Sequence, residues 1–103
     1  MTAGVAGCGG SAARTIDVTM TSSSCQLAKS SFPAGKTAFK VDNTSGQEGE
    51  AYVYDGSGNK VDEVEGIADG TSRTLTVSLD AGRYQFACKP EGKDNRTPFT
   101  VTK

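Results

Sequence analysis

Thiols and carboxylates are the groups with the most chemistry to offer in this chain. The thiols are Cys8, Cys25 and Cys88. As thiolates they would take a soft metal, and as oxidised pairs they would staple a fold. Between Glu48 and Asp69 stand Glu48, Glu50, Asp55, Asp62, Glu63, Glu65 and Asp69, against the single cation Lys60. Carboxylates in that density suit a hard cation or a basic partner, or simply form a solvated surface. From Arg83 to Lys103 the balance reverses, with Arg83, Lys89, Lys93, Arg96 and Lys103 against Glu91 and Asp94. The chain has no histidine for acid–base work, and no serine has an identifiable base partner, so it is not expected to be an enzyme. The sequons at Asn43 and Asn95 are weak signals, and the glycine-rich stretches lack phosphate-loop spacing.

These residues must be positioned by strands. Period-two alternation dominates the chain and helical periodicity is absent. Arg14 to Met20 sets Ile16, Val18 and Met20 on one face. A short irregular strand follows at Cys25 to Leu27, and Phe32-Pro-Ala-Gly-Lys36 reads as a turn. Thr37 to Asp42 aligns Thr37, Phe39 and Val41, and Asn43 to Gly46 turns. Glu50 to Tyr54 and Val61 to Val64 are strands around the turn Asp55 to Asn59, and Ile67 to Gly70 is a loop. Ser72 to Leu79 turns Leu75, Val77 and Leu79 inward. After the tight turn Asp80-Ala-Gly82, Arg83 to Cys88 places Tyr84, Phe86 and Cys88 together. Lys89 to Asn95 is a polar loop, and Thr97 to Thr102 carries Phe99 and Val101. About eight short strands with regular turn signals predict an all-β Greek-key sandwich. Leu79 to Tyr84 also fits a tyrosine corner, in which a Tyr just past a turn bonds back across the crossover. An ordinary core aromatic is the simpler alternative.

The chain has 103 residues, 35% of them hydrophobic and 22% charged, with 13 glycines and a net charge of −1. That is enough for one domain with a thin core, for which a covalent staple would be useful. The near-neutral balance predicts no nucleic-acid partner. No run of about 18 apolar residues exists, so no membrane helix is expected. Residues 1–13 read as a flexible tether ahead of a domain at 14–103. Within the tether, Val5-Ala6-Gly7-Cys8 resembles the lipobox of bacterial lipoproteins, which predicts lipidation at Cys8. The alternative is a Gly/Ala/Ser leader with an incidental cysteine.

Tyr84-Gln-Phe86-Ala-Cys88-Lys-Pro90 resembles the penultimate strand of a cupredoxin. In blue-copper members a cysteine ends this strand and the next loop supplies a histidine and usually a methionine, giving two imidazoles, one thiolate and a weak thioether. Here Lys89 to Thr97 contains neither residue, so type 1 copper is excluded on ligand grounds. A closer resemblance is to the N-terminal cupredoxin domain of EfeO-type bacterial iron-uptake lipoproteins. It runs through Thr19-Met-Thr21-Ser-Ser-Ser-Cys25, Pro33-Ala-Gly35, Phe39-Lys-Val41-Asp-Asn43, Glu50-Ala-Tyr-Val53 and Glu63-Val-Glu65-Gly-Ile67. It continues through Leu75-Thr-Val77, Leu79, Ala81-Gly82, Tyr84, Cys88 and Pro98-Phe-Thr-Val101. In that family the domain often precedes a helical imelysin-like domain; with none before Lys103, the chain is expected to be either a stand-alone member or an excised domain.

The resemblance implies a non-catalytic accessory role in metal (iron) uptake at a bacterial cell envelope, exported and either lipid-anchored or periplasmic/extracellular. Envelope iron-uptake components would be its partners, and a lipid its only link to a membrane. It also implies an iron or copper site at Cys25, Cys88 and Glu50, with Glu63 and Glu65 as further candidates. Gln85 departs from members with an acid at that position, which weakens any site needing a carboxylate there. Two readings of Cys25 and Cys88 stay open. As a disulfide they would staple an exported domain, and Cys8 as the lipidated residue would resolve the odd count. As thiolates with Glu50 they would suit Cu(I) or Zn(II) better than Fe(III), which prefers oxygen donors. An iron role then rests on Glu48, Glu50, Asp62, Glu63 and Glu65, of which Glu63 and Glu65 share a face if their strand is regular. The competing function is a structural or protein-interaction module with a disulfide-locked core.

Overall fold

A computed structural model describes residues 14–103; the lipobox-like segment Val5 to Cys8 lies outside them. Nine strands make up the described chain: β1 (Arg14–Met20), β2 (Cys25–Leu27), β3 (Ser31–Pro33), β4 (Gly35–Asn43), β5 (Gly49–Asp55), β6 (Lys60–Ile67), β7 (Ser72–Leu79), β8 (Gly82–Pro90) and β9 (Asn95–Thr102). They form two sheets, one in the order β3-β9-β8-β5-β6 and one in the order β2-β1-β4-β7. The chain passes repeatedly between the sheets, so sequence neighbours are often not sheet neighbours. Two pairs, β1 with β4 and β3 with β9, are parallel. This is the all-β sandwich that the alternation predicts.

Alternation explains the core directly. Ile16, Val18 and Met20 of β1 face Phe39, Val41, Val53, Phe86, Phe99 and Val101 from the other strands, and all are buried. Phe39 is the hub, with ring centroids 5.0 Å from Phe86 and 5.6 Å from Phe99. Tyr84 stacks on Phe99 at 5.3 Å, and its hydroxyl donates to the Asp80 carbonyl at 2.7 Å. That bond makes the tyrosine corner. Tyr84→Phe is expected to keep the fold and to lower its unfolding free energy by about 1 kcal/mol in urea titrations, the net worth of one hydrogen bond.

The structure corrects two sequence expectations. Phe32-Pro33 does not lie in a turn. Ser31–Pro33 is a ninth strand beside β9, with Phe32 buried and stacked on Phe99 at 5.5 Å. Proline is tolerated because the strand is an edge. The turn itself is confined to Ala34-Gly35, where Gly35 takes a φ of 132°. Ile67 is not in a loop either. It ends β6 fully buried, because Gly66 at φ 68° bulges the strand and returns Ile67 to the core.

Candidate functional site

Cys25 lies on the four-stranded sheet and Cys88 on the five-stranded one. Both are buried, and they are joined by a disulfide with a Cα–Cα distance of 5.3 Å. Thr97 Oγ1 donates to the Cys25 carbonyl. Met20 is the antiparallel partner of Cys25 and is buried beside it. Its Sδ occupies the space over Gly49, 2.6 Å from where a Cβ would stand. A bonded sulfur has no thiolate lone pair to give, so the reading of Cys25 and Cys88 as soft-metal ligands is corrected for this oxidised state. Nor do the surrounding residues fit a type 1 copper centre. The loop after Cys88 offers Glu91, Lys93 and Asp94, but no imidazole and no thioether.

The candidate carboxylates lie elsewhere, on the outer face of the five-stranded sheet. Ala51 and Val53 of β5 point into the core, so Glu50, Tyr52 and Tyr54 point out. On β6, Val64 is buried opposite Ala51, which sends Glu63 and Glu65 outward. One register shift falls between Val64 and Ile67, yet Glu63 and Glu65 still share this face within hydrogen-bonding reach of each other. Glu50 Oε1 accepts a hydrogen bond from the Tyr52 hydroxyl at 2.7 Å. Glu63 pairs with Lys60. Asp62 accepts from the backbone N–H of Glu63 at 2.8 Å.

The cations that run beside these acids come from the basic stretch after Arg83. Lys89 of β8 sits over Tyr52 at 4.3 Å and donates to the Tyr54 hydroxyl at 2.9 Å. The Arg96 guanidinium of β9 lies over Tyr54 at 4.2 Å and is gripped by Asp94 at 3.0 and 3.1 Å. The tyrosine rings are themselves stacked, 5.9 Å apart. Ala87 stands in register between Tyr52 and Arg96 and is fully buried although its parity turns it outward. Its small side chain lets both neighbours close over it. The signal in the sequence was parity: Tyr52 and Tyr54 alternate with Ala51 and Val53, which places two large aromatics on the outside.

Crowding shapes the protonation of this face. The hydrogen bond with Glu63 raises the Glu65 carboxyl above the ordinary range, and the charges of Glu63 and Glu50 add to the effect. The same contact with Glu65, and then Lys60, lowers Glu63. Tyr52 is raised by its bond to Glu50, by burial, and by the charges of Glu50, Glu63 and Glu65. The sign follows from the arrangement. As pH falls, Glu65 takes up its proton first and Glu63 holds its charge longest. The pair therefore titrates in two steps. Carboxyl NMR titration should resolve them, and Glu63→Gln should bring the Glu65 midpoint down toward the ordinary range. A single shared midpoint in the native chain would contradict the crowding.

An open groove of about 640 Å³ lies at the end of the sandwich near Cys88, lined by Glu48, Glu50, Lys89, Glu91, Lys93 and Asp94. Among the described residues, no three His, Cys, Asp or Glu side chains are grouped so as to hold a metal ion. Glu50 belongs to both the groove and the outer face, whereas Glu63 and Glu65 belong only to the face.

A family model described as a cupredoxin-like domain matches residues 6–101. The chain belongs to the cupredoxin-like domain family. Two iron uptake system components named EfeO are similar to this domain. That of Yersinia pestis is 33% identical over 82 residues, and that of Escherichia coli K12 is 34% identical over 82 residues. The match covers 76% of this chain and 22% of each of them, so this cupredoxin-like chain spans about a fifth of the length of those relatives. The likeness to those relatives falls within the cupredoxin-like domain. Among solved structures, dithionite-reduced auracyanin from Roseiflexus castenholzii superposes with a TM-score of 0.66 at 19% identity, over 90% of this chain and 100% of that one. At that identity the likeness shows the sandwich fold alone.

Proposed function

We propose that this cupredoxin-like domain is an exported, non-catalytic accessory of an iron-uptake system, and that it docks a partner component through the carboxylate face of β5 and β6. The observation that carries the reading is the gathering of Glu50, Glu63 and Glu65 on one solvent-facing surface, where the charges of Glu63 and Glu50 raise the Glu65 carboxyl. Each is tied to a neighbour rather than aimed at a common point, which suits a charged contact surface better than a coordination shell. The names of the EfeO relatives supply the iron-uptake context. The disulfide gives the face a rigid support by joining the two sheets beneath it.

Docking through charge has a salt signature. Cross-linking in the native cell envelope should join the domain to iron-uptake components. The joins should be lost in a variant carrying Glu50→Gln, Glu63→Gln and Glu65→Gln, while the variant keeps its fold. If the cross-links survive that variant, the face is not the contact.

A second reading has its own observation. The raised Glu65 carboxyl reports negative charge that a hard cation would relieve. Gallium citrate, a diamagnetic stand-in for ferric citrate, would then shift the amide signals of β5 and β6. In the docking reading those signals stay where they are.

A further inference from the structure

The two sheets of the described chain leave four edges, and three of them are protected against pairing. β2 and β3 are three residues long, and β3 ends in Pro33. β6 carries Asp62, Glu63 and Glu65, two register shifts and the bulge at Gly66. Short length, proline, charge and bulges are the devices by which sheet edges avoid a partner strand. β7 has none of them. It pairs with β4 without interruption over all eight residues, Ser72 to Leu79. It contains no glycine or proline, and its one charge is Arg73. Arg73 Nη1 donates to the Glu65 carbonyl of β6 at 3.4 Å. One set of β7 backbone N–H and C=O groups therefore faces no strand among the described residues.

We propose that β7 is a pairing edge whose occupant is the β7 strand of a second copy of this chain, antiparallel about a twofold axis at Thr76. The sequence is self-complementary in that register. Thr76 meets the partner's Thr76, Thr74 meets the partner's Ser78, and Leu75 meets the partner's Val77. Hydroxyls thus face hydroxyls on the outer surface, and apolar side chains face apolar ones on the inner, as stable cross-strand pairs require. Val77 is only partly buried in one copy, and the second copy covers it. Arg73 falls opposite the partner's Leu79, and Ser72 opposite the partner's Asp80, so no like charges meet. The nearest lysines in a row across the junction are Lys36, which pairs with Ser78, and the partner's Lys40, which pairs with its Thr74. Three strand spacings separate them, about 14 Å, which exceeds the screening length of about 8 Å at physiological salt. A single strand edge is a small interface, so the dimer is weak and reversible.

Sedimentation equilibrium tests this on the full chain in a Cys8→Ser background, which removes dimers formed through that thiol. The native sequence should pass from monomer to dimer with rising concentration. Thr76→Lys and Thr76→Glu should each raise the dissociation constant about tenfold or more by opposing like charges at the axis. Mixing the two variants should restore the dimer. Thr76→Cys should join to itself on mild oxidation, whereas Thr15→Cys, on the interior strand β1, should not. Monomer at every concentration up to about 1 mM would overturn the proposal. So would a dimer untouched by Thr76→Lys, or self-joining at Thr15→Cys but not at Thr76→Cys.

Discussion

Replacing Cys25 and Cys88 together by alanine is expected to lower the unfolding free energy by about 4 kcal/mol, because the bridge closes a long loop. The two residues are 63 apart in sequence. Opening that loop gives the unfolded chain conformations that the bridge denies it, and the gain in entropy grows with the logarithm of loop length. Domains of this size are stable by only about 5–15 kcal/mol, so the loss is a large share of the total. The bridge also joins β2 of one sheet to β8 of the other, so its removal weakens the contact between layers rather than one hairpin. Urea unfolding of the native and double-alanine chains, followed by tyrosine fluorescence, measures the difference. Equal midpoints would show that packing alone holds the layers, and the bridge would then be a redox element rather than a staple.

The second large effect is expected at Asn43, a side chain that is 1% exposed. Its Nδ2 donates to the carbonyls of Gln47 at 2.7 Å and Ile67 at 2.8 Å. Its Oδ1 accepts from the Ser45 backbone N–H at 2.9 Å and the Ser45 hydroxyl at 2.7 Å. One amide thus ties the β4–β5 turn to the end of β6. Asn43→Ala removes both donors, so the Ile67 carbonyl loses its buried side-chain partner while the Gln47 carbonyl keeps only the Ser45 hydroxyl at 3.0 Å. The expected cost is about 3 kcal/mol, from desolvation that is no longer compensated. Asn43→Asp keeps the acceptor and removes both donors, so it should be no milder. Thermal unfolding of the two variants checks this, and a loss under about 1 kcal/mol in both would mean that water replaces the amide. The turn held by Asn43 leads directly into Gly49 and Glu50. Loosening it should also disturb the groove and the outer face, visible as amide shifts in β5.

Much of this fold was legible because strands bury alternate residues. Ile16, Val18 and Met20, or Leu75 and Leu79, declare their inward face by spacing alone. The failures came where long-range contacts override local signals. Phe32-Pro33-Ala-Gly is turn chemistry locally, yet Phe32 has an aromatic partner in Phe99, which lies far along the chain. Ile67 sits before Ala-Asp-Gly, and only the bulge at Gly66 explains why it is core. The candidate site was legible in type more than in arrangement. Glu50, Glu63 and Glu65 share a face as their parity implies, but the cysteines lie beneath the sheet rather than beside them. Lys89 and Arg96 could not be placed near Tyr52 and Tyr54, because nothing local says that β8 lies between β5 and β9.

The position of β9 has a consequence for how the chain reaches this form. β9 lies between β3 and β8, so the last strand made is an interior member of its sheet. The five-stranded sheet stays split until residues 95–102 arrive, and β3 waits with its parallel partner missing. Pairings of such wide sequence separation form late and slowly. The five-stranded sheet therefore closes only when β9 enters between β3 and β8, so the domain reaches its full architecture in that one late step.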